Sequence, residues 1–547
     1  MNTMQPAVSM KSKSLPLFWI LLLGLALAGS ILLFSVTAQW GLGTNSDSSN
    51  YIAGARNILK GHGYRNYGSL SLITHWPPFY SFTLAVIGLL GIDPLDGTRL
   101  LHTVLYGFNI LMIGLILKKI TGSSLTAFFG SLFMLTALPM FEVHTRVCSE
   151  PWFIFFSFTA FYLLNQYLGG QSKTYFFGAA ILTALACLDR YVGVTVIGTG
   201  VLSLFLLSRN KLAARFKESL LFLTISALPL GLWLLRNKLR ANDLMSKSVN
   251  PPSFSFEYLQ MAFNTFTTWL LPASVPSLLR HISLCLALAA AVVLVILIVS
   301  KEIKRGSDKI FTTDGSLRFV ALLIVFMVCY SGLHIAHHVI MNASVSAGDR
   351  HFSPLFIAGL LVTLIFLDRF VKLSPNAPFK KIAVISLLLL MGFSYLLSAA
   401  QEFATFWKNG YGHTSRFWRA SETMIKTKSL LKDEFIYTNN SSAVYLIVNA
   451  PARRLPSKIN KKKYRHDEEA QINSPVLLSQ LRKISERLLD KEGYVVFFSR
   501  RQQWYSLTQT ELEKYLPITP VIKLKDGVIY KADPAREYEI LHAKGIE

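Results

Sequence analysis

Long apolar runs recur between residues 16 and 400, separated by short polar stretches, and they stop after Gln401. A helix needs roughly 17–25 apolar residues to cross a bilayer. On that scale the pattern predicts about eleven membrane helices. They fall at 17–37, 99–117, 122–140, 151–168, 174–188, 191–208, 218–235, 281–300, 319–340, 353–370 and 382–400. The run at 16–37 follows a basic N-terminus, but it is longer than a signal-peptide core and no small-residue cleavage site follows it. It therefore reads as the first span. One further run, PFYSFTLAVIGLLGI at 78–92, is short for a crossing and reads as a juxtamembrane helix.

That reading fixes the orientation. Basic clusters lie at Lys11 and Lys13, at Lys118 and Lys119, and at 209–217, 301–309 and 372–381. Lys and Arg beside span ends stay on the cytoplasmic side. If 78–92 does not cross, all five clusters fall inside. The loops 38–98, 141–150 and 236–279 then face outward, with the corner Asp189-Arg190 and the segment Asp349-Arg350-His351.

Beyond residue 401 the period changes. Strand-like runs occupy 435–437 and 494–498, and Lys525-Asp526-Gly527 reads as a hairpin turn. Ser474-Pro475 reads as a helix start, with Leu477, Leu481, Ile484 and Leu488 following at helical spacing. The expected fold is a polytopic α-helical membrane module, residues 1–400, with a large first outer loop at 38–98. A C-terminal soluble α/β domain, 401–547, would lie on the extracytoplasmic side.

Composition agrees with a membrane protein. The chain is 52% hydrophobic and 16% charged, where soluble domains carry about a quarter charged residues. The net charge of +24 sits partly in the cytoplasmic clusters, so it does not indicate nucleic-acid binding. The remainder, in the outer loops and the tail, can attract anionic headgroups or lipid phosphates. Cys148, Cys187, Cys285 and Cys329 are scattered, with neither a disulfide framework nor a zinc spacing.

The outward-facing polar residues are the candidate chemistry. Asp47 stands just beyond the first span, where it can cap a helix over 48–60 or serve as a general base toward a hydroxyl. Arg146, Arg190, Arg236 and Arg350 can snorkel at helix ends or bind phosphate with a planar fork. Glu150 precedes Pro151, where a carboxylate suits a helix N-terminus or can orient an acceptor or a metal. His334, His337 and His338 share one helical face and, with His351 or Asp349, are candidates for a divalent metal. Tyr51, Tyr64 and Trp76 are candidate sugar or acceptor contacts, and aromatic residues at such interfaces also serve as belt anchors. His75 lies in the same loop.

The stretch DSSNYIAGARNILKGHGY from Asp47, then HWPPFY from His75, resembles the GT-C superfamily of membrane glycosyltransferases. The likeness is to protein mannosyltransferases and bacterial aminoarabinose transferase. RVCSEP at 146–151, LDRYVG at 188–193, WLLRN at 233–237, DRHFSP at 349–354 and the tail segment IYTNNSSAVYLIVNAPARRLP at 436–456 extend it over most of the chain. Protein mannosyltransferases carry an Asp-Glu pair in the first loop, whereas here Ser48 follows Asp47. The resemblance implies transfer of a hexosyl or pentosyl group from a polyprenyl-monophosphate donor to an acceptor glycan, lipid or protein, by inverting displacement at the outer face of a bacterial or archaeal cytoplasmic membrane. It implies Asp47 as the catalytic base; Glu150 is the second candidate catalytic carboxylate, and Arg146, Arg190, Arg236, Arg350 and His75 are the candidates around the donor phosphate. A lipid or solute transporter is the rival reading, but transporters place ionisable groups at mid-membrane and show repeated halves. A non-catalytic membrane scaffold is the third.

Overall fold

A computed structural model describes residues 14–246, 256–303, 314–341, 348–373, 377–458, 475–501 and 506–536. Lys11, Lys13, the basic residues of 304–309 and Ser474 lie outside the described residues. Most of the chain is helical. Seven described helices are long and apolar enough to cross a membrane, or eight with one bent pair counted as a span. They are Leu17–Val36, Pro94–Thr121, Leu212–Ala241, Ser277–Ile296, Gly315–Ile340, Asp349–Lys372 and Pro378–Asn409.

The eleven expected spans are therefore not all carried by length and hydropathy. Glu150–Leu168 and Lys173–Asp189 are helices outside that set, and Tyr191–Leu207 counts only as a shorter apolar helix. The expected span at 122–140 is broken. Ser124–Thr136 and Leu138–Thr145 meet at 53°. Ala137 between them is extended (φ −72°, ψ 132°), and Pro139 sits in the first turn of the second helix, where its missing N–H leaves no bond unmade. The run at 78–92 folds as the helix Phe79–Gly88, whose 10 residues span only about 15 Å.

By internal contacts the chain falls into two compact units. The first comprises Met1–Val36, Thr74–Tyr80 and Arg99–Ala404. Its core is rich in aromatic rings: Phe161 packs 4.9 Å from Phe326, which lies 5.3 Å from Tyr330. A buried polar chain runs through it. Tyr80 Oη meets His102 Nε2 at 2.8 Å, His102 Nδ1 meets the His144 carbonyl at 3.0 Å, and Asn109 donates to the Pro151 carbonyl at 3.1 Å. Buried polar groups need such partners, and this one fastens the first turn of the helix Glu150–Leu168.

The second unit comprises Thr37–Ile73, Ser81–Thr98 and Thr405–Glu547. Its five-stranded sheet has the order β2-β1-β3-β5-β4, with β1 Ile436–Thr438, β2 Arg453–Arg454, β3 Tyr494–Phe498, β4 Ile518–Leu524 and β5 Gly527–Ala532. β1 is parallel to β2 and β3, while β5 is antiparallel to β3 and β4. Alternate residues face opposite sides of a strand, and both sides are covered here. Tyr437, Val495, Phe497, Val528 and Tyr530 pack against Leu477, Leu481, Ile484 and Leu488 of the helix Pro475–Asp490. Ile436, Val496, Phe498 and Ile529 pack against Trp418, Met424, Ala443 and Val444. Lys525 and Asp526 form the turn between β4 and β5.

The first-loop segment belongs to this unit. Arg56 grips Asp93 with two bonds of 2.9 and 2.8 Å. Tyr67 stacks on Tyr445 at 4.4 Å and bonds to Ser441 and Ser442. Thr44 bridges to Gly412, whose φ of +66° suits glycine.

Candidate active site

Three polar clusters converge in the first unit, each built at a helix end. The central one rests on Glu150, the first residue of its helix and 1% exposed. Its Oε1 accepts from Arg190 at 2.5 Å and from Arg350 at 2.7 Å. Arg190 also donates to the Ser149 hydroxyl at 3.2 Å.

Local backbone explains how these side chains meet. The helix Lys173–Asp189 ends where Arg190 turns extended (φ −145°, ψ 135°), and a single 3-10 turn, Tyr191–Gly193, starts the next helix. Gly193 permits the tight corner, because a Cβ there would come within 2.6 Å of the Cys187 Cα. Arg350 is the second residue of the helix Asp349–Lys372. Burial alone would raise the Glu150 carboxyl, but Arg190 and Arg350 outweigh it and hold it well below the usual carboxylate range. Two guanidiniums on one carboxylate leave the cluster one positive charge in excess.

Beside it lies Asp189, fully buried, with both oxygens lacking a hydrogen-bond partner among the described residues. Burial pushes its carboxyl well above the ordinary value, Glu150 adds to the shift, and Arg190 opposes it.

The second cluster centres on Tyr191. Its hydroxyl donates to the Thr74 carbonyl at 2.7 Å and accepts from Trp233 Nε1 at 3.2 Å. Asn237 approaches it at 3.5 Å. Arg236 lies 4.7 Å from the Trp233 ring and donates to Asn237 at 2.9 Å. Thr74 Oγ1 meets Ser246 Oγ at 2.6 Å and Asp243 at 3.4 Å. The hub thus pins the backbone next to His75, whose ring meets Trp76 edge-on at 4.5 Å. In the third cluster Arg146 pairs with Glu142 one helical turn earlier, and Asp349 accepts from Trp269 Nε1 at 2.8 Å.

Of the residues singled out in the sequence, Glu150, Arg190 and Arg350 are in direct contact. Arg146, Arg236, His75 and Trp76 fall in the flanking clusters. Asp47, Tyr51 and Tyr64 belong to the second unit. Asp47 occupies the first turn of the helix Ser46–Leu59, and the cap there is Asn45 with Ser48 in a capping box. Tyr51 and Tyr64 are buried, at 2% and 6% exposure, so neither ring offers a face to solvent. His334, His337 and His338 ride on the helix Gly315–Met341, where His338 stacks on Tyr258 at 4.1 Å and His334 lies 4.7 Å from Tyr330. Among the described residues no group of three or more His, Cys, Asp or Glu is assembled to hold a metal. Sequence reasoning passed over Glu142, although Glu-x-x-x-Arg is the spacing of a helical ion pair. It also passed over Asp243, for which no local signal exists.

Neither protein-family models nor curated proteins give a match to this chain. Solved structures do. ArnT from Cupriavidus metallidurans bound to undecaprenyl phosphate superposes with a TM-score of 0.57 at 12% identity, over 96% of this chain and 99% of that one. The oligosaccharyltransferase AglB from Archaeoglobus fulgidus, in complex with an inhibitory peptide and a dolichol-phosphate, gives 0.52 at 11% identity, over 96% and 75%.

The chain has the GT-C fold.

The apolar helices make the chain an integral membrane protein. Glu150, Arg190 and Arg350 stand at helix ends. Chemically, a preorganised guanidinium pair with a charge in excess can stabilise an anion that develops during reaction.

Proposed function

We propose that the protein is a glycosyltransferase that moves a hexosyl or pentosyl group from a polyprenyl-monophosphate donor to an acceptor hydroxyl at the outer membrane face. The observation that carries this reading is the pair of guanidiniums held on the buried Glu150 carboxylate. The GT-C fold shared with a structure bound to undecaprenyl phosphate supports it. In the proposed displacement the acceptor oxygen bonds to the anomeric carbon as the carbon–oxygen bond to phosphate breaks. Arg190 and Arg350 take the charge that develops on the departing phosphate, and Glu150 fixes their orientation. Asp47 takes the acceptor proton, a role that comes from the family resemblance. Eleven spans with a cytoplasmic N-terminus are part of the reading and put the C-terminal region outside.

The test is donor-lipid binding and sugar transfer by the purified chain in nanodiscs. Arg190→Ala and Arg350→Ala each remove one charge-assisted contact, worth roughly a 10- to 150-fold loss of polyprenyl-phosphate affinity. Wild-type affinity in both variants refutes the phosphate site. Asp47→Asn keeps donor binding and loses transfer, and near-normal turnover removes it as the base. Cysteines introduced at positions 118 and 500 report the topology, reachable from inside and outside respectively.

A further inference from the structure

The second unit holds a broad open cleft, none of whose lining residues has a part in the displacement proposed above. Its volume is 1030 Å³, just above the roughly 300–1,000 Å³ of pockets that enclose a whole small molecule. One wall is the turn Gly410-Tyr411-Gly412. Both glycines have positive φ, and a Cβ on Gly412 would lie 1.7 Å from the Thr44 carbonyl oxygen. That turn presents Tyr411, 41% exposed, and the next segment presents Phe417, 39% exposed. Arg416, Arg500 and Lys525 stand on the lining with exposed side chains. Asn440 also lines the cleft, and its Nδ2 is buried with no hydrogen-bond partner among the described residues. Of the lining carboxylates, Asp526 is engaged by the Thr423 amide and hydroxyl at 3.1 and 2.7 Å, and Glu422 lies 3.8 Å from Lys525.

We propose that this cleft binds an anionic saccharide, the acceptor or a segment of it, and so names the acceptor class for the glycosyl transfer on which it rests. Aromatic faces suit the apolar CH surfaces of sugar rings. The amide donor of Asn440 suits a hydroxyl, and the guanidiniums suit a phosphate or carboxylate substituent. The cleft is open to solvent, as a ligand that continues into a longer chain requires. An anionic bilayer surface would need a flat or convex basic face, not a cleft with a buried amide donor in its lining.

The experiment is equilibrium binding by the full chain in nanodiscs of neutral lipid. The probes are a sulfated dextran oligosaccharide, the neutral dextran oligosaccharide of equal length, and vesicles containing anionic phospholipid. The wild type should bind the sulfated oligosaccharide in preference to the neutral one, and more weakly at high salt. Arg416→Ala with Arg500→Ala should weaken it by at least about tenfold, and Phe417→Ala should weaken both oligosaccharides. Polyprenyl-phosphate binding should be unchanged in all three substitutions. Loss of that binding only in Arg190→Ala and Arg350→Ala keeps the two sites distinguishable. The proposal is overturned by sulfated-oligosaccharide binding that survives the double substitution. It is equally overturned by wild-type binding to anionic vesicles alone.

Discussion

Replacing Glu150 is the sharpest probe of the central cluster. The carboxylate is 1% exposed, and the guanidiniums it holds are only 16% and 12% exposed. Removing one partner of a buried ion pair costs about 3–5 kcal/mol, because the other charge stays buried without it. Glu150→Ala takes the carboxylate from two guanidiniums at once, so the upper end, about 5 kcal/mol, is expected. Glu150→Gln keeps the shape and an oxygen that both arginines can reach, but it removes the negative charge between two buried guanidiniums, and a loss of about 3 kcal/mol follows. Both variants should melt below the wild type in detergent, Ala lowest. A polyprenyl phosphate should raise the melting midpoint of Glu150→Ala more than that of the wild type, since it supplies the missing anion. The pH dependence has a definite sign. The folded carboxyl lies below its unfolded value, so its contribution is complete above the unfolded pKa and fades only as pH falls through the lower folded one. Stability from this cluster should therefore be flat between pH 7 and the ordinary carboxylate range. Wild-type midpoints in both variants, or a loss already evident near neutral pH, would refute the reasoning.

Asp189 carries the opposite sign. Its carboxyl is raised by burial, so the stability of the protonated form is full at low pH and declines as pH rises through the folded pKa. Asp189→Asn should flatten that decline and raise the melting midpoint at alkaline pH, and a parallel pH profile would contradict it. Tyr191→Phe leaves Trp233 and Asn237 without their shared acceptor and should cost about 1–3 kcal/mol in thermal unfolding. Its effect on transfer should exceed that of Phe substitution at Tyr530, which lies in the second unit's sheet. Gly412→Ala places a methyl group against the Thr44 carbonyl and should increase protease sensitivity of the second unit, with unchanged digestion counting against the fit.

What could be read from the chain alone followed periodicity. Leu477, Leu481, Ile484 and Leu488 form one buried stripe, as their spacing demands, and Lys525-Asp526 turns between two strands. Glu150, Arg190 and Arg350 stood out because they share the outward-facing ends of the expected spans, and they meet. The break at Ala137 was hidden because apolar composition continues across it, although Pro139 marked the place. The Tyr191 hub joins residues 117 positions apart, and no local pattern encodes such a bond. Nor does any pattern encode the Arg56–Asp93 clasp, which closes over 37 positions. Helices announce themselves by composition, whereas the corners between them depend on which distant groups need a partner.

The discontinuous make-up of the second unit sets a schedule for biogenesis. Its early stretches, Thr37–Ile73 and Ser81–Thr98, are grouped with Thr405–Glu547, which the ribosome makes last. At about 5–20 residues per second, the early stretches wait on the order of 20–90 s for their strands to arrive. A ribosome that stops before residue 405 releases a chain whose membrane helices have been inserted but whose Tyr67 and Arg56 have no Tyr445 to dock against. Quality-control proteases would meet that vacancy first, so premature termination late in the message should be cleared about as thoroughly as termination near its start.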